Sequence, residues 1–279
     1  MKKLMFAAVA CAALSGFALQ SQNVVGFENL DWMAADYYMM GAQFENTSGG
    51  DLHLEDIDFG DLAATAPSYD SYGEYKKTAV QVQIAEADRE GALTYYFLAD
   101  GNWDDEKGEG TPAWVDEDGF YANPTVAAGI GYWYRDALSE VRKVQTAGQV
   151  VTDSPWEKSF DANYRFLVNP FPVAWELESV DWGEIEKNAP SYDSYGEYKK
   201  TATQVQVPEA SREGFLTYYF LADGNWDDEK GEGTPAWVDE DGFYANPIVP
   251  IGRGCWFRPA PAGNGLTVNF YINGKPKAE

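Results

Sequence analysis

A long stretch of the chain occurs twice. APSYDSYGEYKKTA fills 66–79 and again 189–202. LTYYFLADGNWDDEKGEGTPAWVDEDGFYANP fills 93–124 and again 216–247. Both matches are offset by 123 positions. Between them only Val80, Ile84, Ala85, Asp88 and Ala92 differ from Thr203, Val207, Pro208, Ser211 and Phe215. Fainter likeness extends outward. Residues 51–60 align with 174–183, Gly129–Arg135 with Gly252–Arg258, and Tyr37–Phe44, with small indels, with Tyr164–Phe171. A chain built this way folds as the same unit made twice. The division is 19–148 for the first copy and 149–279 for the second, each an ordinary domain length. The near-identity has two readings, one function performed twice or a recent recombination, and the sequence leaves both open.

The local patterns are those of strands. Val80, Val82 and Ile84 alternate with Gln81 and Gln83, the period of a half-buried strand. Leu93–Ala99 is an aromatic-rich run suited to a strand buried on both faces. Leu52–Ile57, Gly131–Arg135 and Val141–Thr146 read as further strands, separated by Asp-Gly, Gly-Asn and Asn-Pro pairs. The one helix-like stretch is Trp182–Asn188, with its counterpart near Phe59. The fold class is therefore all-β, as two tandem homologous β-sandwich or barrel-like domains.

Residues 1–18 have the form of a secretory signal peptide. Lys2 and Lys3 precede a short apolar run over Leu4–Leu14, and Gly16 and Ala18 are small residues at the positions a signal peptidase reads. The expected location is outside the cytoplasm: extracellular, at the cell surface, or periplasmic. No later segment is long and apolar enough to span a bilayer as a helix. Cleavage leaves Cys255 as the lone thiol, which excludes an intramolecular disulfide.

Charge narrows the partners. Forty-five acidic against 20 basic residues give a net charge of −25, and losing the two leader lysines makes it about −27. Phosphate backbones are repelled by such a chain, so nucleic acid is excluded as a partner. Fifteen per cent aromatic residues are enough for a real core, which excludes a disordered acidic tail.

An opening Val24-Val25-Gly26, the Val168-Asn-Pro-Phe-Pro segment, the Trp-Asp-Asp hairpin, Gly252-Arg-Gly-Cys-Trp-Phe-Arg and a closing strand ending in Gly together resemble uncharacterised secreted bacterial β-repeat proteins. The likeness covers most of the mature chain. The first copy departs from it, with Ala42-Gln-Phe-Glu-Asn where the second has Asn169-Pro-Phe-Pro. The resemblance implies export and a β fold, and supplies no catalytic residue.

Chemistry is sparse. The single histidine, His53, has Glu176 as its counterpart, so no catalytic set recurs in both copies and an enzyme is not expected. Two constellations do recur. In the acidic loops, Asp100, Asn102 and Asp104, and Asp223, Asn225 and Asp227, alternate oxygen-bearing side chains in the manner of a Ca²⁺ loop. The same residues also suit a solvated hairpin tip. Position six of an EF-hand pattern is Asp105 rather than Gly, so that motif fails. The second constellation is aromatic: Tyr69, Tyr72, Tyr75 and Trp103, repeated as Tyr192, Tyr195, Tyr198 and Trp226. Rings beside carboxylates suit stacking on sugars, and equally suit bracing a core edge.

The function expected is a secreted, non-catalytic surface or extracellular-matrix repeat protein with a structural or adhesive role. The alternative is a carbohydrate-binding or Ca²⁺-dependent binding module. The partners expected are further copies of the chain or an extracellular glycan. Terminal strands at Val24–Phe27 and Leu266–Ile272 offer edges for self-association.

Overall fold

The computed structural model describes residues 25–31, 37–70, 72–85, 91–100, 110–136, 143–161, 164–193, 195–208, 214–224, 233–261 and 265–273. Residues 1–18, read above as a signal peptide, lie outside them. The first unit contains β1 (Val25–Asp31), β2 (Tyr37–Gly41), β3 (Phe44–Glu45), β4 (Leu52–His53), β5 (Gln81–Ala85), β6 (Ala92–Leu98), β7 (Ala113–Val115), β8 (Thr125–Val126), β9 (Gly131–Arg135) and β10 (Lys143–Val150), with a one-turn helix α1 (Tyr75–Thr78). The second contains β11 (Trp156–Phe160), β12 (Arg165–Val168), β13 (Trp175–Glu176), β14 (Gln204–Pro208), β15 (Phe215–Leu221), β16 (Ala236–Val238), β17 (Ile248–Val249), β18 (Gly254–Arg258) and β19 (Leu266–Phe270), with α2 (Tyr198–Thr201).

The protein is all-β, made of two sandwich-like domains with the same topology. The main sheet has the order β2-β9-β5-β6-β7 in the first unit and β12-β18-β14-β15-β16 in the second. A small β4-β8 ladder recurs as β13-β17. Each unit's first strand pairs antiparallel with its last, β1 with β10 and β11 with β19. The terminal strands therefore complete their own units' sheets. Among the described residues their sheets differ in one respect: β3 adds a third strand to β1-β10, and the second unit has the β11-β19 pair alone.

Each core lies between the large sheet and the small ones. Val82, Trp114 and Tyr134 from the main sheet meet Phe44, Leu52, Val126 and Val144 from the other layer. Phe59 stacks on Tyr134 at 5.2 Å and meets Trp114 edge-on at 5.4 Å. Trp182 takes its place in the second unit, against Phe257 and Trp237, each at 5.2 Å. The alternating Val80–Ile84 pattern becomes β5, and the aromatic run becomes β6. Two expectations need correction. Leu52–Ile57 extends for only two strand residues before a 3-10 turn at Leu54–Asp56. There the Asp56 carboxylate accepts the His53 N–H at 2.8 Å, a local bond that competes with a ladder. Trp182–Asn188 forms only a short 3-10 segment at Ile185–Asn188, and the α-helical turns lie instead at α1 and α2.

The two units pack through equivalent surfaces. Met40 bridges to Arg253, and Leu167, the counterpart of Met40, bridges to Ile130, the counterpart of Arg253. Trp133 lies 6.0 Å from its own counterpart Trp256. Reciprocal contacts of this kind define a pseudo-twofold junction, like that of a homodimer fused into one chain. Met39, Trp133 and Phe166 are buried there, with Phe215 and Trp256 packed on them. Ala92 and Phe215, one of the few differing pairs in the repeated core, meet this same cluster, so the copies have diverged where they touch.

Candidate functional site

The duplicated tyrosine loops begin with a carboxylate. Asp70 Oδ1 accepts the backbone N–H groups of Tyr72 and Glu74, at 2.9 and 3.0 Å, and Oδ2 accepts that of Tyr75 at 2.9 Å. Asp193 repeats the set with Tyr195, Glu197 and Tyr198 at 3.0, 3.0 and 2.9 Å. These donors, the Glu74 N–H first, hold the Asp70 carboxyl below its ordinary value, and the Glu197 N–H does so for Asp193. The same bonds hold the first turn of α1 and of α2. Gly73 and Gly196 supply the positive φ, 72° and 73°, that carries the chain from loop to helix.

The three tyrosines of each loop have different fates. Tyr75 and Tyr198 are core residues, each 3% exposed. Burial pushes both phenols up to about 12. Tyr75 meets Tyr96 edge-on at 5.5 Å, and Lys76 Nζ lies over both rings while donating to the Glu117 carbonyl at 2.8 Å. Tyr69 is half-buried and packs on Tyr75 at 5.5 Å, and Tyr192 packs likewise on Tyr198. Neither Tyr75 nor Tyr198 can offer a ring face to a ligand. The free ring surface is at Tyr72 and Tyr195, which are 91% and 92% exposed. The sequence marks all three tyrosines alike; only Asp70, five residues ahead of Tyr75, signals which one begins a helix and turns inward.

Of the acidic-loop residues, Asp100 and Asp223 are described, and both are engaged. Asp100 Oδ1 accepts the Tyr69 N–H at 2.8 Å, and Asp223 does the same for Tyr192. They fasten the base of the acidic loop to the tyrosine loop. Asn102, Trp103 and Asp104, and Asn225, Trp226 and Asp227, lie outside the described residues. Among the described residues no group of three or more His, Cys, Asp or Glu could hold a metal ion. Asp116 and Asp239, which follow the acidic loops in the chain, each accept two backbone N–H groups of their own turns.

His53 Nδ1 lies 3.2 Å from the Asn123 carbonyl on an exposed strand end. Cys255 is fully buried in the second core, and burial raises its thiol strongly, so no reactive thiolate forms there. Among the described residues no helix is long and apolar enough to cross a membrane.

A second feature was not anticipated from sequence. The second unit has an open groove of about 380 Å³ between Asn169–Val173 and Phe270–Asn273, with Trp175 and Ile248 in its lining. Its origin is the divergent Asn-Pro-Phe-Pro segment.

No family model, no curated protein and no solved structure matches this chain.

Proposed function

We propose that the protein is an exported, non-catalytic surface or matrix component that adheres through its two tyrosine loops. The observation that carries this reading is the pair Tyr72 and Tyr195. Each is more than nine-tenths exposed, on a loop tied down by the same three bonds to an aspartate. A large exposed ring on a loop already held in place loses little conformational entropy on contact, which suits adhesion. Two such loops on one chain raise the effective concentration of the second contact once the first is made. Export is supported by the form of residues 1–18, and by the resemblance to secreted β-repeat proteins.

The ligand class favoured is an extracellular glycan. A tyrosine ring near the exposed Glu74 carboxylate, or near that of Glu197 in the second loop, provides an apolar face for a sugar and an acceptor for its hydroxyls. The test is retention of the mature protein on immobilised glycans, compared with Tyr72→Ala, Tyr195→Ala and the double variant. Each single variant is expected to weaken retention, and the double variant to abolish it. Unchanged retention by the double variant overturns the reading.

A further inference from the structure

We infer that the groove of the second unit receives an extended polypeptide segment of a partner chain that is apolar in its middle and basic at its ends. The first unit shows what fills this place. There, Glu45–Asp51 forms a closed turn, with the Asn46 N–H donating to Gly50 O at 2.8 Å. Asn46 Nδ2 also donates to Asp56, the counterpart of groove-lining Ser179, at 3.2 Å. Its strand β3 pairs with β10 at Gln149 and Val150. In the second unit the seven residues 45–51 are answered by only three, 172–174. Pro172 replaces Glu45 and removes a backbone donor. Gly148, where a Cβ would lie 2.8 Å from that of Phe44, is replaced by Ile272. The third strand is thus lost, and a groove stands in its place.

The walls of the groove have changed in one direction. Immediately after the identical block, Thr125 becomes Ile248, which is 62% exposed. Val173 and Ile272 are also exposed, at 39% and 41%, so three of the large exposed apolar side chains share one cleft. Folding does not require an exposed isoleucine where threonine serves in the sister unit; an apolar occupant does. Trp175, replacing Leu52 and only 4% exposed, brings an indole N–H with no hydrogen-bond partner among the described residues. Glu176, in the place of His53, lines the groove, its carboxylate accepting the Asn246 side-chain amide at 2.8 Å, on a chain whose net charge is −25. Both favour positive charge on the occupant. The groove is bounded by the stretch Asn169–Phe171, whose carbonyls at both ends accept hydrogen bonds from buried Gln43 of the first unit, at 3.2 and 3.0 Å. The wall is therefore held in place before any partner arrives.

The probe is a capped peptide, Lys-Val-Thr-Val-Thr-Val-Lys, titrated into the full mature chain with isoleucine methyl groups observed by NMR. Saturable shifts at Ile248 and Ile272 are expected, and a version with Glu in place of Lys is expected to bind at least about tenfold more weakly. Ile248→Thr restores the first unit's residue at an exposed position and is expected to weaken binding by about tenfold. Replacing residues 172–174 by the 45–51 sequence closes the groove and is expected to abolish it. Absence of shifts at about millimolar peptide, equal binding of the Glu version, or unchanged affinity in both variants overturns the inference. Tyr72→Ala/Tyr195→Ala is expected to bind the peptide normally, which separates this site from the adhesive loops.

Discussion

Gly41 and Val168 hold equivalent places in the two units and face each other across the junction, so closely that a Cβ on Gly41 would overlap the Val168 side chain. A strictly symmetric pair would fail here: two glycines leave a void, and two valines collide. The small-against-large pairing makes the two copies complementary to each other rather than each to itself.

Gly41→Val is expected to destabilise the protein by about 1–3 kcal/mol, the usual cost of overpacking a tight contact. Adding Val168→Gly exchanges the two residues across the pseudo-twofold and is expected to recover most of the loss. Denaturant unfolding of the two single variants and the double gives the coupling directly. Additive losses would mean that the two positions do not share one space.

Asp70 and Asp193 make stability depend on pH at the acid end. Their carboxyls are held below the ordinary value by hydrogen bonds from backbone N–H groups, bonds that form only in the folded state. The stabilisation is thus complete above the unfolded carboxyl's pKa and is lost as pH falls through the lower, folded one. Asp70→Asn/Asp193→Asn is expected to be less stable at neutral pH and to show a shallower acid limb. Melting temperatures from pH 7 down to about pH 2 read both effects.

Tyr75 and Tyr198 act at the other end of the scale. Burial raises both phenols to about 12, so the folded state holds these protons where an unfolded chain has released them. Their contribution is full below the unfolded value of about 10 and falls as pH climbs from there towards the folded one. Tyr75→Phe/Tyr198→Phe is expected to lose that alkaline limb. Phenolate absorbance against pH should show one late-titrating class of tyrosine in the wild type, smaller by these two residues in the variant.

Tyr72→Ala and Tyr195→Ala are expected to change stability by less than about 0.5 kcal/mol, as for exposed positions away from any packing. Thermal unfolding checks this. A large loss would assign these rings to the fold and withdraw them from the adhesive site.

Much of the β architecture is legible in the chain because strand signals are local. The alternation at Val80–Ile84 and the aromatic run at Leu93–Ala99 need only their own neighbours to declare a strand. The helical turns at Tyr75–Thr78 and Tyr198–Thr201 escape notice because they are a single turn each, too short for a period, and are started by the carboxylates of Asp70 and Asp193. Leu52–Ile57 misleads for a similar reason: one bond from Asp56 turns a strand-like pattern into a 3-10 turn.

The sequence by itself determined that one β unit is built twice, since an offset of 123 residues that returns the same residues must return nearly the same local structure. Only the tertiary structure decided how the two copies meet and where they stop being alike. Gly41 against Val168, Trp133 against Trp256, and the groove left by the missing third strand all join residues far apart in the chain. So does the sorting of near-identical tyrosines into buried and exposed, since Tyr75 turns inward onto Tyr96 while Tyr72 meets only solvent. Repetition and periodicity are properties of the chain read in order, whereas complementarity belongs to surfaces that come into being only when distant segments are brought together.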